Sequence, residues 1–181
     1  MIEFDKLNIG PLDRTYDRGA FCCGKTPIDN YVKNNIRKEH EAYNVRVFVA
    51  SYIDSTEILG LYALTIKSVD PQKVSAEAQK QFGRVESVPT IYLSCIAVNQ
   101  AVQGKGIGYF LMMNALNRAL EISENAGVFA VTLEAIDEEV AKKYEGYGFE
   151  RFIDGELDMF MPLKTIRDAA MATNDASHSV G

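Results

Sequence analysis

Apolar residues follow the spacing of β-strands in some segments of the chain and the spacing of α-helices in others, and this alternation predicts a mixed α and β fold. Short runs rich in β-branched and aromatic residues are typical of strands, and residues 91–98 are apolar on both faces, as a central strand is. Helical spacing replaces this pattern around residues 28–36, where the apolar side chains share one face, and in a wider stripe over residues 111–122. The predicted strands are residues 4–7, 45–53, 58–66, 91–98, 129–135, 149–152 and 157–163.

Capping residues mark where the helices begin. Thr26 is placed to cap the first helix, with Pro27 at its first position and Asp29 reaching back as in a capping box. Asp137 is placed to cap a third helix, whose first turn is acidic and whose later part is basic, in agreement with the helix dipole. The predicted order of elements is therefore β-α-β-β-β-α-β-α-β-β.

Two segments fall outside this order. Residues 67–89 are polar, with helical spacing over residues 76–82, and a connection of that length is often functional. The C-terminal residues 164–181 are small and polar at their end, and they predict a short helix followed by a flexible tail. The remaining residues, 1–163, are predicted to form a single domain.

The composition narrows the class of protein. With 181 residues, 47% apolar and 24% charged, the chain can bury the core of one soluble domain. No apolar run approaches the roughly 20 residues that span a bilayer, and the N-terminus does not resemble a signal peptide, so we expect a cytoplasmic protein with no membrane partner. The cysteines and histidines lack the spacing of a metal site, and we interpret Cys22, Cys23 and Cys95 as small buried apolar residues.

A glycine-rich loop joins the strand at residues 91–98 to the stripe at residues 111–122. It reads Gln-Gly-Lys-Gly-Ile-Gly from Gln103 to Gly108. A strand that turns into a helix through such a loop leaves several backbone N–H groups unpaired at the helix N-terminus, where the helix dipole also favours an anion. Because glycines have no side chains, a phosphate can approach the backbone closely. The loop therefore predicts a phosphorylated ligand; a tight turn with no ligand is the alternative.

Three phosphate-loop patterns compete for this stretch. A Walker loop needs Ser or Thr after its Lys, whereas Gly106 follows Lys105. A Rossmann fingerprint needs G-x-G-x-x-G and an acid at a strand end roughly 20 residues further on. The glycines here read G-x-G-x-G, and the acids at that distance, Glu121 and Glu124, fall in the predicted helix. The third pattern, Q/R-x-x-G-x-G/A, is matched at every position.

Further segments extend the third pattern. Residues 96–99, Ile-Ala-Val-Asn, resemble the strand that precedes this loop in the GNAT N-acetyltransferase superfamily. Residues 141–149 resemble its A-x-x-(F/Y)-Y-x-x-x-G-F signature, with Lys143 where an aromatic is usual. Residues 21–32 are similar to the opening segment of GNATs from toxin–antitoxin modules, which acetylate the amino group of aminoacyl-tRNA. The resemblance spans residues 4–163. It implies an α+β domain whose central mixed, mostly antiparallel sheet of about six to seven strands has splayed central strands and flanking helices.

The resemblance also implies the chemistry. Acetyl-CoA would bind with its pyrophosphate on the loop and its pantetheine along the exposed backbone of residues 96–98. Tyr144 matches the family tyrosine that gives a proton to the departing thiolate, and a phenol with the usual pKa near 10 stays protonated at neutral pH. Asp137 stands where many members carry an Asn near the cofactor. The residues implied to bind the cofactor are Ile96, Ala97, Val98, Gln103, Gly104, Lys105, Gly106, Ile107, Gly108 and Asp137.

The general base and the acceptor are less determined by the sequence. Glu134, at the end of a central strand, and Glu86, before another, are candidate bases, and a water is the alternative to both.

A net charge of −6 and a pI of about 5.0 oppose broad contact with a phosphate backbone, so a small primary amine or a peptide terminus ranks first as acceptor. A toxin that acetylates aminoacyl-tRNA and has an antitoxin partner ranks second, and an acetyl-CoA-binding module without turnover ranks third. A homodimer is a further candidate assembly.

Overall fold

The computed structural model describes residues 2–82, 85–155 and 157–178. The described strands are β1 (Leu7–Pro11), β2 (Arg46–Tyr52), β3 (Gly60–Val69), β4 (Val88–Val98), β5 (Ala130–Glu134), β6 (Glu150–Arg151) and β7 (Asp158–Pro162). The described helices are α1 (Thr26–Asn34), α2 (Ile36–Glu41), α3 (Ala76–Gln79), α4 (Ile107–Ser123), α5 (Glu138–Glu145) and α6 (Leu163–His178). Short 3-10 turns lie at Phe4–Lys6, Pro71–Lys73 and Gln100–Val102.

The strands form one open sheet in the order β1-β2-β3-β4-β5-β7-β6. Pairing is antiparallel between β1 and β2, β2 and β3, β5 and β7, and β6 and β7, and it is parallel between β4 and β5. The parallel pairing consists of Ile91 with Val131 and Tyr92 with Thr132, so it covers only two of the 11 residues of β4 and two of the 5 residues of β5. A mixed, mostly antiparallel sheet whose central strands pair over so short a length confirms the predicted fold class.

Two compact units make up the chain, and β3 and β4 contribute residues to both. The first comprises the described residues of Met1–Thr65 and Leu93–Ala115, and the second those of Ile66–Tyr92 and Leu116–Gly181. The core of the first contains Leu12, Phe21, Cys23, Val32, Ile36, Val45, Val47, Val49, Ile58, Leu61, Ala63 and Ala97. An apolar cluster of the second contains Val74, Ala78, Ala130, Phe152 and Phe160. The apolar face predicted for residues 28–36 thus packs in the first core.

The first strand lies later in the chain than the apolar pattern predicted. Phe4–Lys6 is a 3-10 turn, and β1 begins at Leu7 and pairs with β2. Its sequence, Leu-Asn-Ile-Gly-Pro, has little strand propensity of its own, so the pairing with β2 imposes the extended backbone. Pro11 has no N–H to donate and is tolerated because β1 is an edge strand.

The first helix also starts differently. α1 has Lys25 as its N-cap, and no side chain supplies the capping hydrogen bond that Thr26 was predicted to make. Asp29 closes no capping box either, because its Oδ1 accepts the N–H of Cys23 at 2.7 Å. The helical segment is then interrupted at Asn35, between α1 and α2.

Later elements follow the pattern more closely. β2 and β3 form the predicted antiparallel hairpin, α3 lies within the predicted residues 76–82, and Asp137 caps α5. α6 runs on to His178 and is longer than the short helix predicted, while residues 83–84 of the predicted connection and 179–181 of the predicted tail lie outside the described residues. Over the part of the chain that the structure describes, no helix has the length and apolar character needed to cross a membrane.

His40 is a buried histidine that links α2 to β2. Its Nδ1 accepts the N–H of Val47 at 3.0 Å, so that nitrogen carries no proton in the folded chain. Burial, and then the nearby Arg46, hold the pKa of His40 below its ordinary value of 6.5, while Glu41 acts in the opposite direction. In the unfolded chain the imidazole takes up a proton near pH 6.5, so the unfolded state binds more protons below that pH.

We therefore expect acid to weaken the fold through His40. Its contribution to stability is fully present above pH 6.5 and is lost as the pH falls from there towards the lowered pKa, with a slope of up to about 1.4 kcal/mol per pH unit. His40→Asn keeps an acceptor in the place of Nδ1 and does not titrate. Denaturant unfolding between pH 7.5 and 5.5 should show a shallower loss in this variant, and equal slopes in both proteins would contradict the assignment.

Candidate functional site

The glycine-rich loop lies between β4 and α4, within the first unit. The 3-10 turn Gln100–Val102 follows the strand, the chain turns again, and α4 begins at Ile107. Gly104 and Gly106 have φ angles of 73° and 89°, in the left-handed region that glycine adopts without strain. The first N–H groups of α4 have no carbonyl four residues back within the helix to pair with. Together with the helix dipole, this is the backbone arrangement that binds an anion.

Phe4 packs against the loop. A Cβ added at Gly106 would lie 3.0 Å from Cζ of Phe4, whose ring meets that of Phe110 edge to face at 5.8 Å. A Cβ added at Gly104 would meet nothing within 4 Å. Both glycines therefore provide a left-handed backbone, but Gly106 alone of the two would also bring a side chain into close contact with Phe4.

The side chain of Gln103 ties the loop to two other backbone segments. Its Nε2 donates to the carbonyl oxygen of Val98, at the end of β4, at 3.0 Å, and to that of Cys23 at 2.9 Å. A side-chain amide has two N–H hydrogens, so both are used within the protein. The amide nitrogen therefore maintains the loop conformation, which leaves the predicted pyrophosphate contact to backbone N–H groups. The sequence carries no signal for a bond to a residue as distant as Cys23.

The turn that precedes the loop is held by side chains on both sides. Asn99 Oδ1 accepts the N–H of Ala101 at 3.1 Å, and its Nδ2 donates to the carbonyl of Ile58 at 3.3 Å. Lys105 Nζ donates to the carbonyl of Ala101 at 2.8 Å. The ammonium of this exposed lysine is thus folded back onto the turn.

A glycine that the sequence analysis missed lets α4 approach the sheet. At Gly60, on β3, an added Cβ would lie 2.9 Å from the carbonyl oxygen of Ala97 and 2.7 Å from Cδ1 of Leu111. Ala97 belongs to the predicted pantetheine strand, in which Ile96 and Val98 are half-buried. A side chain at position 60 would therefore push apart the strand end and the helix that together present the loop. An isolated glycine at the start of a strand gives no sequence signal for this role.

The second unit carries the two other predicted site residues. Asp137 caps α5, with its Oδ1 2.9 Å from the N–H of Val140. Tyr144 is half-buried in the last turn of α5, and its ring lies 6.4 Å from that of Tyr147 and 5.9 Å from that of Phe149. The aromatic residues of the predicted signature therefore pack on one another.

Arg151, on β6, makes hydrogen bonds to both ends of α5. Its guanidinium donates to Glu138 from two nitrogens, at 2.7 and 3.0 Å, and to Glu145 from Nε at 2.6 Å. These hydrogen bonds from Arg151 lower the pKa of the Glu138 carboxyl. The local sequence pattern gives no signal for this contact, because nothing in it links an edge strand to a helix.

The candidate bases occupy different surroundings. Glu134 is exposed at the end of β5 and pairs in register with Asp158 of β7. Burial, and then the charges of these two carboxylates, raise the pKa of Tyr92. The ammonium of Lys67 lies over the ring of Tyr92, with Nζ 4.6 Å from the ring centroid. Glu86 is exposed in the connection before β4. The role of either residue as a base stays a prediction.

The cysteines are not equivalent. Cys23 is buried, and burial raises the pKa of its thiol to about 11, which keeps it protonated at neutral pH. Cys22 is only partly buried, so its interpretation as a buried apolar residue is wrong in this respect. Cys95 also keeps some exposed surface, but it packs against the apolar core of the first unit, in agreement with its interpretation. Within the described residues, no group of three or more His, Cys, Asp and Glu side chains is placed to hold a metal ion.

Comparison with known families decides the classification. Residues 20–149 match the Acetyltransferase (GNAT) family, a span that includes both the loop and the Tyr144 segment. The chain belongs to the GNAT acetyltransferase family. The glycine-rich loop is therefore that of an acetyltransferase, and the Walker and Rossmann alternatives are set aside.

Several relatives of this GNAT chain are toxins. It is 34% identical over 174 residues to a probable toxin TacT of Sinorhizobium fredii, covering 90% of this chain and 94% of the relative. It is 26% identical to a tRNA-acetylating toxin of Mycobacterium tuberculosis, covering 83% and 89%. The fold matches AtaT complexed with acetyl-methionyl-tRNAfMet, with a TM-score of 0.83, 22% identity and coverage of 89% and 97%. It also matches a mutant AtaT toxin bound to the C-terminus of the antitoxin AtaR and acetyl-CoA, with a TM-score of 0.76, 23% identity and coverage of 90% and 96%.

The predicted site residues of this GNAT chain fall into two groups. Residues 96–98 and 103–108 lie together at the end of β4 and the start of α4, in the first unit. Asp137 and Tyr144 lie on either end of α5, in the second. Their contacts with acetyl-CoA and their catalytic roles stay predictions.

Proposed function

We propose that this GNAT chain acetylates the α-amino group of an aminoacyl-tRNA, with acetyl-CoA as the acetyl donor. The observation that carries the proposal is its similarity, along most of its length, to a probable toxin TacT and to a tRNA-acetylating toxin. The segment at residues 21–32, which resembles the opening of toxin-type GNATs, supports the same acceptor. An acceptor of this kind would be met in the cytoplasm, the location that the sequence predicts.

The distribution of charge removes the main argument against a tRNA acceptor. The chain as a whole carries −6, but residues 14–46 contain seven basic and four acidic side chains, a local net charge of +3. Lys25, Lys33, Lys38 and Arg46 within this segment are exposed. A phosphate backbone responds to the local field rather than to the net charge, so an acidic protein with a basic face can bind RNA. We assign this face, on and around α1 and α2, to the tRNA.

The proposed chemistry is direct transfer. The N–H groups of the loop hold the pyrophosphate of acetyl-CoA, and the backbone of residues 96–98 pairs with its pantetheine. The neutral α-amine attacks the thioester carbonyl, the carbon–sulfur bond breaks, and Tyr144 gives its phenolic proton to the leaving thiolate. The proton that the amine loses passes to water or to a carboxylate.

An antitoxin partner follows from the same proposal. A toxin that blocks charged tRNA must be neutralised in the cell that makes it, and AtaT is seen with the C-terminus of its antitoxin AtaR. We propose a neutralising protein of that kind for this chain. Association of the chain with a second copy stays a prediction.

The acceptor is tested by transfer from labelled acetyl-CoA to a pool of aminoacyl-tRNAs, with the deacylated tRNAs and a panel of small amines as controls. We expect label on the α-amino group of charged tRNA and on neither control. Label on small amines alone would overturn the assignment in favour of an ordinary amine acetyltransferase.

We further expect binding of tRNA to weaken steeply with salt. The double variant Lys33→Ala, Lys38→Ala should reduce the slope of log K against log salt by about 1.5, because each lost phosphate contact is worth roughly 0.7–0.9. The double variant Lys164→Ala, Arg167→Ala changes the charge equally on α6 and serves as the control. Filter-binding titrations measure both slopes, and equal slopes in the two variants would show that α1 and α2 do not contact the tRNA.

A further inference from the structure

Residues 21–24 touch the loop region at several points. The carbonyl of Cys22 accepts the N–H of Gln100 at 2.8 Å, and the carbonyl of Cys23 accepts Nε2 of Gln103 at 2.9 Å. Gly24 has a φ angle of 84°, and a Cβ added there would lie 2.7 Å from Nε2 of Gln100. The N-terminal segment is therefore closely attached to the loop, although almost 80 residues separate them along the chain.

Asp29 sets the position of this segment. It is 9% exposed and lies in the first turn of α1, and its Oδ1 accepts the N–H of Cys23 at 2.7 Å. Although burial acts to raise the pKa of Asp29, hydrogen bonds from Cys23, Cys22 and Gly24 outweigh it and lower the pKa, so the side chain is a carboxylate at neutral pH. A charged acceptor makes a stronger hydrogen bond than a neutral one.

A continuous path thus runs from α1 to the loop. The carboxylate of Asp29 accepts a hydrogen bond from the N–H of Cys23, and the carbonyl of Cys23 accepts one from the side chain of Gln103. That side chain also donates to the carbonyl of Val98, at the end of β4. The residue that follows is Gly104, with its positive φ. We propose that Asp29 is a positioning residue for the acetyl-CoA loop, acting through Cys23 and Gln103 to keep the loop in its anion-binding conformation before the donor arrives.

The physical reason is the cost of ordering a glycine-rich loop. Glycines leave the backbone free to adopt many conformations, and a ligand that must select one of them loses affinity accordingly. A side-chain amide held between two carbonyls removes that freedom in advance. The proposal rests on the proposed use of acetyl-CoA, but it does not depend on the acceptor. The competing explanation is that Asp29 merely stabilises α1, as an acid in a first turn does.

The test is a double-mutant cycle on CoA binding, measured by calorimetry with the full chain. Asp29→Ala and Gln103→Leu should each weaken CoA binding on the order of tenfold, and the double variant should be no weaker than either, because both act on one path. Asp29→Asn keeps an acceptor for Cys23 and should stay within about threefold of the natural chain. Asp13→Ala removes another carboxylate that accepts a backbone N–H in the first unit, that of Thr15 at 2.8 Å, and should bind CoA normally.

Hydrogen–deuterium exchange without ligand gives a second readout. Exchange should rise at residues 103–108 in Asp29→Ala and Gln103→Leu and stay unchanged there in Asp13→Ala. Additive losses in the cycle, or unchanged loop exchange in a folded Gln103→Leu, would overturn the positioning role and leave the proposed function standing. A natural chain that binds no CoA would overturn both.

Discussion

Replacing Gly106 by valine should abolish saturable binding of acetyl-CoA. The residue has a φ of 89°, which a β-branched side chain adopts only with strain, and an added Cβ would already lie 3.0 Å from Phe4. Calorimetric titration should detect no binding, while circular dichroism shows a folded chain.

Three control variants separate the causes. Gly104→Ala imposes the left-handed strain with nothing within 4 Å of the new Cβ, so it should weaken binding only in part. Gly127→Val adds the same side chain in open space on the surface and should have no effect. Lys105→Ala should have a small effect, because the ammonium is folded back onto Ala101. Full affinity in a folded Gly106→Val chain would mean that the pyrophosphate binds elsewhere.

The features that were predicted from the sequence are local ones. The spacing of the glycines, the apolar strand before them and the amphipathic helix after them are all read within about 30 residues, and the structure has them in that order. The cap at Asp137 is local too, since its partner Val140 is three residues away. The periodicity of the apolar residues and the capping residues are enough to predict such features.

The features that were missed depend on contacts between distant residues. Gln103 and Cys23 are 80 residues apart, and no pattern in the sequence predicts their hydrogen bond. The predicted capping box failed for the same reason, because Asp29 turns to the N–H of Cys23, which lies outside its own helix. β1 is extended only because it pairs with β2. In each case tertiary structure overrides or redirects a local preference.

The net charge and the local charge of residues 14–46 favour different acceptors. The net charge ranked a small amine above aminoacyl-tRNA because it averages the basic segment at residues 14–46 with an acidic remainder. A tRNA meets one face of the protein, so the relevant quantity is the charge of that face. The toxin-like opening at residues 21–32 lies inside the basic segment, and the two observations support the same acceptor.

Tyr144→Phe should lower turnover by about 10²-fold or more while leaving acetyl-CoA binding nearly intact. The change removes one hydroxyl, and the phenyl ring can keep its packing against Tyr147 and Phe149. A thiolate that leaves without a positioned acid must take its proton from water, and losing one such acid typically costs on the order of 10²-fold in rate. Single-turnover acetylation of aminoacyl-tRNA measures the rate, and calorimetry measures the affinity for the donor.

Tyr147→Phe is the matched control for this prediction. It removes the same group from a half-buried tyrosine three residues further along, so general damage to this part of the unit should appear equally in both variants. We expect the control to keep its rate to within a fewfold. Equal and large losses in both would indicate that the two hydroxyls support the structure of this part of the unit. An unchanged rate in Tyr144→Phe would mean that water protonates the leaving thiolate. A loss confined to Tyr144, at unchanged donor affinity, would identify its hydroxyl as the acid, because only a group that acts in the transition state lowers the rate without weakening binding.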